Sequence, residues 1–183
     1  MVARPGTADD GLRGQQRIFE IARGGLGRGK GRSRQVVLSE PELNGFLSRH
    51  LAEAAKIPVK DGAVRLVGDG LVEFKGQLPL RHVLAAVPLV PIADFLPIPW
   101  LERPVWLHLE ARASLEVGAA RGQRRYLRLD VERFALGRQP LPQALLRLLL
   151  GPATASLLRW RMPEAVEAIT IEPGIVVIKT AAS

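Results

Sequence analysis

The sequence predicts an α+β domain: long antiparallel strands with one oily and one wet face, a capped helix ahead of them, and a far more apolar helix near the C-terminus. Three observations carry this. Residues 105–117 alternate, with Leu107, Leu109, Ala111, Ala113, Leu115 and Val117 opposing His108, Glu110, Arg112, Ser114 and Glu116, the period of a half-buried strand. Ser39-Glu40-Pro41-Glu42 places Ser and Glu three apart before an apolar run, the pattern of a capping box. After Pro140-Leu141-Pro142, the residues Leu145, Leu146, Leu148, Leu149 and Leu150 leave only Gln143 and Arg147 polar. A helix there faces something oily almost all round.

Taken in order, residues 1–34 hold eight Arg or Lys against three acids, and eight of the eighteen glycines. Such a stretch buries too little apolar surface to offset its ordering entropy. It is expected to be a flexible basic Gly/Arg-rich segment, followed by a single domain at 35–183. A short helix over Asp10 to Arg23 fits within it, with Leu12, Ile18, Phe19 and Ala22 on one side.

Gln35 to Leu38 reads as a short strand. The capped helix then runs to about Lys56, with Leu43, Phe46, Leu47, Leu51 and Ala54 at helical spacing and Glu42, Asn44, Arg49 and Glu53 falling mostly elsewhere. Proline in its first turn removes no hydrogen bond. Val59 to Val67 is a strand that ends at the turn Gly68-Asp69-Gly70, and Leu71 to Leu80 alternates Val72, Phe74, Gly76 and Leu78 with Glu73, Lys75 and Gln77. Val105 to Val117 and Arg124 to Phe134 flank a turn at 118–123. In the second of these, Leu127, Leu129 and Val131 are expected inward and Tyr126, Arg128, Asp130 and Glu132 outward. The apolar helix is expected over 142–160, kinked at Gly151-Pro152. Ala168 to Ile171 and Ile175 to Lys179 close the chain as a strand pair around Glu172-Pro173-Gly174.

Between the strands lies VLAAVPLVPIADFLPIPWL, residues 83–101, with Asp94 as its only charge and prolines at 88, 91, 97 and 99. Four prolines so close together argue against a spanning helix, because each removes a donor and clashes with a preceding carbonyl. The stretch lacks a polar face, so a surface helix does not fit either. It reads as a largely extended apolar segment, either a core-crossing loop or the wall or lid of an apolar cavity. As a wall it would offer Leu84, Val87, Leu89, Ile92, Phe95, Leu96 and Ile98, joined by Leu145 and Leu149 of the second helix. Arg81, Arg103, Arg138 and Arg147 lie near these apolar pieces and are candidates to meet an anionic headgroup. Trp100 and Trp106 flank Glu102-Arg103-Pro104 as ordinary packing residues or as interfacial anchors.

Composition narrows the chemistry. The chain has 183 residues, a net charge of +8, no cysteine and 5% aromatics. Disulfides and thiol catalysis are excluded, and base stacking on aromatic platforms is disfavoured. His50, His82 and His108 occur singly, without HxH, HxxxH or HExxH spacing, so no metal is expected. There is no phosphate loop, no GxGxxG and no GxSxG, which leaves nucleotide binding and serine hydrolysis without a motif. Neither a cofactor nor an enzymatic activity is expected.

Three pieces also resemble a known family. They are LSEPELN at 38–44, the LG-x-x-PLP junction at 136–142, and the closing I-x-I-x-x-G-x-x-V-I hairpin at 169–178. Together they make the chain over about 36–179 similar to bacterial tubular lipid-binding (TULIP, SMP-like) envelope proteins, whose relatives include the mycobacterial mannan-associated phospholipid-binding family. The resemblance implies a long curved antiparallel sheet wrapped around one long N-terminal helix, a groove for acyl chains, and a periplasmic or membrane-associated place in the cell envelope. It also implies a membrane anchor upstream, which is not read in this chain. The expected function is non-enzymatic binding, with transport as its extension, of a lipid or other apolar ligand near a membrane surface. The alternative is a scaffolding module that docks a protein partner through 83–101. A third reading, nucleic-acid binding through residues 1–34, rests on basic charge alone.

Overall fold

Two antiparallel sheets and five helices make up the described residues of the computed structural model, which are 6–24, 34–55, 59–86, 97–117, 124–150 and 158–181. In chain order the elements are α1 (Ala8–Gly24), β1 (Arg34–Ser39), α2 (Glu40–Ala55), β2 (Lys60–Gly68), β3 (Leu71–Pro79) and α3 (Leu80–Ala86). They continue with α4 (Ile98–Leu101), β4 (Pro104–Val117), β5 (Arg125–Leu136), β6 (Gln139–Pro140), α5 (Gln143–Leu150), β7 (Arg159–Met162), β8 (Val166–Glu172) and β9 (Ile175–Thr180). The larger sheet runs β2-β3-β4-β5-β6, with β7 on the far part of β5, and the smaller runs β1-β9-β8. The fold class is α+β.

The alternation of β3 and β4 produces the oily face that their sequences require. Phe74 pairs with Leu109, and Leu109 with Phe134, so one row crosses three strands. Leu78, Leu107 and Phe134 are buried together with Val83 of α3 and with Leu146 and Leu149 of α5. Each such side chain contributes roughly 1.5–3 kcal/mol relative to exposure. On the opposite face ion pairs lace the strands: Arg65 to Glu73 at 3.1 Å, Arg112 to Glu132 at 2.7 Å and Arg128 to Glu116 at 2.7 Å.

β5 does not keep strict alternation. The register slips between Glu110 and Ala111 of β4, so that Glu110 faces Arg133 and Ala111 faces Val131, leaving Glu132 as the extra residue of a β-bulge. Two consecutive charged side chains, Glu132 and Arg133, therefore point outward, and Phe134 returns to the core. Without the bulge Phe134 would fall on the wet face.

Within residues 1–34 the described stretch Ala8–Gly24 is a helix, close to the one expected over Asp10 to Arg23, and it packs as part of the domain where a flexible segment was expected; residues 1–5 and 25–33 lie outside the described residues. Ile21 is 4% exposed and lies with Leu38, Val166 and Ile178 in a second core formed on the small sheet. Thr7 and Asp10 cap the helix reciprocally: the Asp10 carboxylate accepts from the Thr7 N–H at 2.8 Å, and Thr7 Oγ1 accepts from the Asp10 N–H at 3.2 Å. The Thr7 N–H and hydroxyl, both donating to the carboxylate, with the neighbouring Arg13 guanidinium, hold the Asp10 carboxyl below the ordinary aspartate range.

Glycine explains how α1 reaches α2. A Cβ added at Gly45 would stand 2.5 Å from the Gly11 nitrogen and 2.7 Å from the Thr7 carbonyl oxygen, and one at Gly14 would stand 2.7 Å from the Glu42 carbonyl oxygen. The two helices meet backbone to backbone, at a separation that no side chain tolerates.

The capping box of α2 forms as its sequence predicts: the Ser39 N–H and hydroxyl donate to Glu42 Oε2 at 2.9 and 2.8 Å. Three polar positions in its first half do not face water, however. Glu40, Glu42 and Asn44 are all buried. Asn44 Nδ2 donates to the Val64 carbonyl at 2.8 Å while its Oδ1 accepts from the Val64 N–H at 2.6 Å. Glu40 Oε2 accepts from the Leu66 N–H at 3.0 Å, and the Leu66 carbonyl accepts from Gly174 N–H at 3.0 Å. Four backbone groups on the outer edge of β2 are thus satisfied without another strand, so this edge offers no template for a further strand. Arg17 of α1 reaches the same seam, with Nη1 donating to Glu42 Oε2 at 3.3 Å and to the Val37 carbonyl.

Two further expectations are corrected. The ends of the apolar stretch are helical: Val83 to Ala86 complete α3, and Ile98–Leu101 form α4. Pro97 and Pro99 suit that short helix, since a fixed φ preorganises a first turn. The second helix was expected to reach Trp160, but Arg159–Met162 is a strand. Its alternating RWRM pairs Arg159 with Arg128 and Trp160 with Leu127, which satisfies an edge of β5 that a longer helix would leave bare.

Candidate functional site

The outer edge of β5 is paired at both ends. β7 takes Arg125 to Arg128, and β6 takes Ala135 and Leu136. Among the described residues no strand pairs with Leu129 to Arg133 on that side. α5 runs beside this gap because Gln143, its first residue, is tied to the bulge. Gln143 Nε2 donates to the Val131 carbonyl at 2.6 Å and more weakly to the Glu132 carbonyl at 3.5 Å.

A cleft of about 700 Å³ opens at the gap. Leu129 and Val131 of β5, Leu146 of α5 and Leu158 supply its apolar lining, and Arg128, Arg147 and Arg159 its cations, with Glu116, Asp130 and Gln143 completing it. Three guanidiniums against two carboxylates leave one positive charge in excess. Glu116 joins two of the cations, Arg128 at 2.7 Å and Arg159 at 3.3 Å. Chiefly the hydrogen bond from Arg128 holds the Glu116 carboxyl below its usual range, and Glu116 and Asp130 together raise Arg128. The Arg159 guanidinium also stacks 4.1 Å from the centre of the Tyr126 ring.

A second cleft, of about 510 Å³, touches the Phe74-Leu109-Phe134 row and is bounded by Lys75, His108, Pro140 and Leu141. Gln143 borders both clefts. Burial lowers the His108 pKa below the ordinary imidazole value, and the Lys75 ammonium adds to that effect. Among the described residues no three His, Asp or Glu side chains gather as metal ligands.

The expected site residues do not converge here. Arg147 lines the larger cleft, but Leu149 is core and Leu145 packs against that core. Leu84 of α3 is half-buried and Ile98 of α4 is exposed, and neither borders either of these two clefts. Val87, Leu89, Ile92, Phe95 and Leu96 lie outside the described residues. Arg81, Arg103 and Arg138 belong to the other end of the large sheet: Arg81 pairs with Glu102 at 2.9 Å, Arg103 lies 5.1 Å from the Trp100 ring, and Arg138 follows Gly137 in the β5–β6 turn. Leu129, Val131 and Leu158 belong to no site pattern in the sequence, where apolarity is their only signal. No family model, curated protein or solved structure matches the chain.

Proposed function

We propose that this protein is a non-enzymatic binder of an amphiphile, a lipid or comparable apolar molecule with an anionic head, held in the cleft between β5 and α5. The observation that carries the reading is the meeting of Leu129, Val131, Leu146 and Leu158 with three guanidiniums in one cleft. Its volume falls within the roughly 300–1,000 Å³ usual for small-molecule sites. Such a ligand needs no catalyst to be retained, since each buried CH₂ contributes about 0.8 kcal/mol. The head would exchange with Glu116 for Arg128 and Arg159, while the open edge of β5 gives the apolar part a lateral way in.

The finer architecture belongs to the same proposal: a curved sheet winding about α2. Its support is that α2 lies between β1 of the small sheet and β2 of the large one, while β8 lies against β2 and β4. A place in the bacterial cell envelope is supported by the resemblance of the LSEPELN, LG-x-x-PLP and closing-hairpin pieces. No described helix is long and apolar enough to cross a membrane.

Titration of the full chain with a fluorescent fatty acid tests the reading, alongside native mass spectrometry for lipid carried through purification. Leu129→Asp should abolish binding with the melting transition retained, and Arg147→Gln should weaken it for the acid but not for the matching alcohol. Leu148→Asp, on the exposed side of α5, should leave binding intact. Wild-type affinity in Leu129→Asp would sink the proposal.

A further inference from the structure

The end of the large sheet opposite β7 exposes apolar side chains that have no role in either core. Ile98 is 76% exposed, Trp100 50% and Trp106 37%. They are not there through fraying. The Pro97 carbonyl accepts from Trp100 N–H at 2.8 Å, the Trp100 carbonyl accepts from Arg103 N–H at 3.1 Å, and the Arg103 carbonyl accepts from Leu80 N–H at 2.9 Å, which ties α4 back to the start of α3. The 2.9 Å ion pair from Arg81 of α3 to Glu102, the residue that follows α4, reinforces that tie.

Cations accompany the indoles. Arg103 lies 5.1 Å from the Trp100 ring and Lys75 Nζ 4.5 Å from the Trp106 ring. The Trp106 carbonyl accepts from Gly137 N–H at 2.7 Å, which brings the exposed Arg138 beside the same strand end. Among the described residues, Lys75, Arg81, Arg103 and Arg138 outnumber Glu102 at this tip, four positive charges to one negative.

We propose that this tip docks on an anionic lipid surface, with Ile98 and Trp100 entering the headgroup–acyl boundary and Arg103 and Arg138 meeting lipid phosphates. Indole prefers such a boundary, and cations next to an anionic leaflet are attracted to it. The charge balance selects this occupant over a second copy of the chain, since two tips face to face would bring eight cations together against two carboxylates. The inference rests on the amphiphile reading, which gives a docked protein something to exchange, and its test separates attachment from ligand capture.

The full chain should cosediment with phosphatidylcholine vesicles containing phosphatidylglycerol, and far less with phosphatidylcholine alone. The double variant Ile98→Ser/Trp100→Ser should lose about tenfold or more in partitioning, the worth of one buried apolar side chain. Arg103→Gln/Arg138→Gln should lose about fivefold per cation removed, and only on the anionic vesicles. Both should keep the wild-type melting transition and fatty-acid affinity. Leu129→Asp should lose fatty-acid binding yet still attach, so that failure of the cleft reading stays distinct from failure of this one. Wild-type partitioning in the Ile98/Trp100 variant would overturn the proposal, as would no attachment of the wild type to either vesicle. A dimer that Ile98→Ser/Trp100→Ser converts to monomer, without vesicle attachment, would reassign the tip as a contact between copies.

Discussion

Asn44 pairs with Val64 as a neighbouring strand would, one side-chain amide matching both the N–H and the C=O of a residue twenty positions away. A helix thereby closes the edge of a sheet, and Glu40 repeats the device one step along at Leu66.

Removing that amide should be costly. In Asn44→Ala two half-buried backbone groups of Val64 lose their partners, which is expected to destabilise the domain by about 1–3 kcal/mol. Asn44→Asp, which keeps the acceptor but presents a second oxygen to the Val64 carbonyl, should be no better than alanine. Urea denaturation of the three proteins decides this, and a loss under about 0.5 kcal/mol for alanine would mean that water replaces the amide without penalty.

Gly45→Ala offers a test by sign. In an isolated helix the change is worth about 1 kcal/mol of added stability. Here the new Cβ meets the Gly11 nitrogen at 2.5 Å, so the urea midpoint should fall, and α1 should become accessible to protease. Deleting residues 1–24 should lower the midpoint as well, because it strips Ile21 from the small-sheet core. A midpoint that rises in Gly45→Ala would show that α1 does not press on α2 in solution.

Leu149 and Leu129 should behave as different kinds of residue. Leu149 belongs to the core, so Leu149→Ala is expected to cost about 2–5 kcal/mol while folded molecules keep their ligand affinity. Leu129→Ala, half-buried at the cleft, should cost less stability and more affinity. Equal effects on both measurements at both positions would erase the distinction between core and cleft.

His108 predicts a pH dependence. Its folded pKa is lowered by burial and by Lys75, so the unfolded chain takes up this proton more readily than the native protein. Its contribution to stability is complete above the ordinary value of 6.5 and declines as pH falls through that value toward the folded one. The urea midpoint should therefore drop between neutral pH and about 5.5, above the range where carboxylates titrate. His108→Gln should flatten that slope, and an unchanged slope would assign it to another group.

Local signals in the sequence carried much of the fold. The Ser39–Glu42 box, the Gly68-Asp69-Gly70 turn and the alternation of β3 and β4 depend on neighbours close along the chain, and each appears where the residues require it. What escaped depends on distance. Glu40 and Asn44 look like the solvent side of a helix because periodicity scores polarity and not hydrogen-bonding partners, and theirs lie on β2. The glycines of α1 look like disorder because their low helix propensity is visible, while the close approach that needs them is not. RWRM continues a helical pattern until the bare edge of β5 is known. The site was the least legible part. The cleft lies where β5 has no strand partner among the described residues, and Leu129 and Val131 carry no mark of that in the sequence.

The extra residue in β5 has a consequence of another kind. Pairing resumes on either side of Glu132 with the same partners, so a chain shortened by that one residue could still form every other rung of the ladder. It would lose the local kink and added twist that a bulge imposes, together with the anchor that Gln143 finds on the Glu132 and Val131 carbonyls. The opening beside α5 is therefore governed by how many residues β5 contains as much as by which ones. In this protein a single-codon deletion is a lever on the aperture that no point substitution can match.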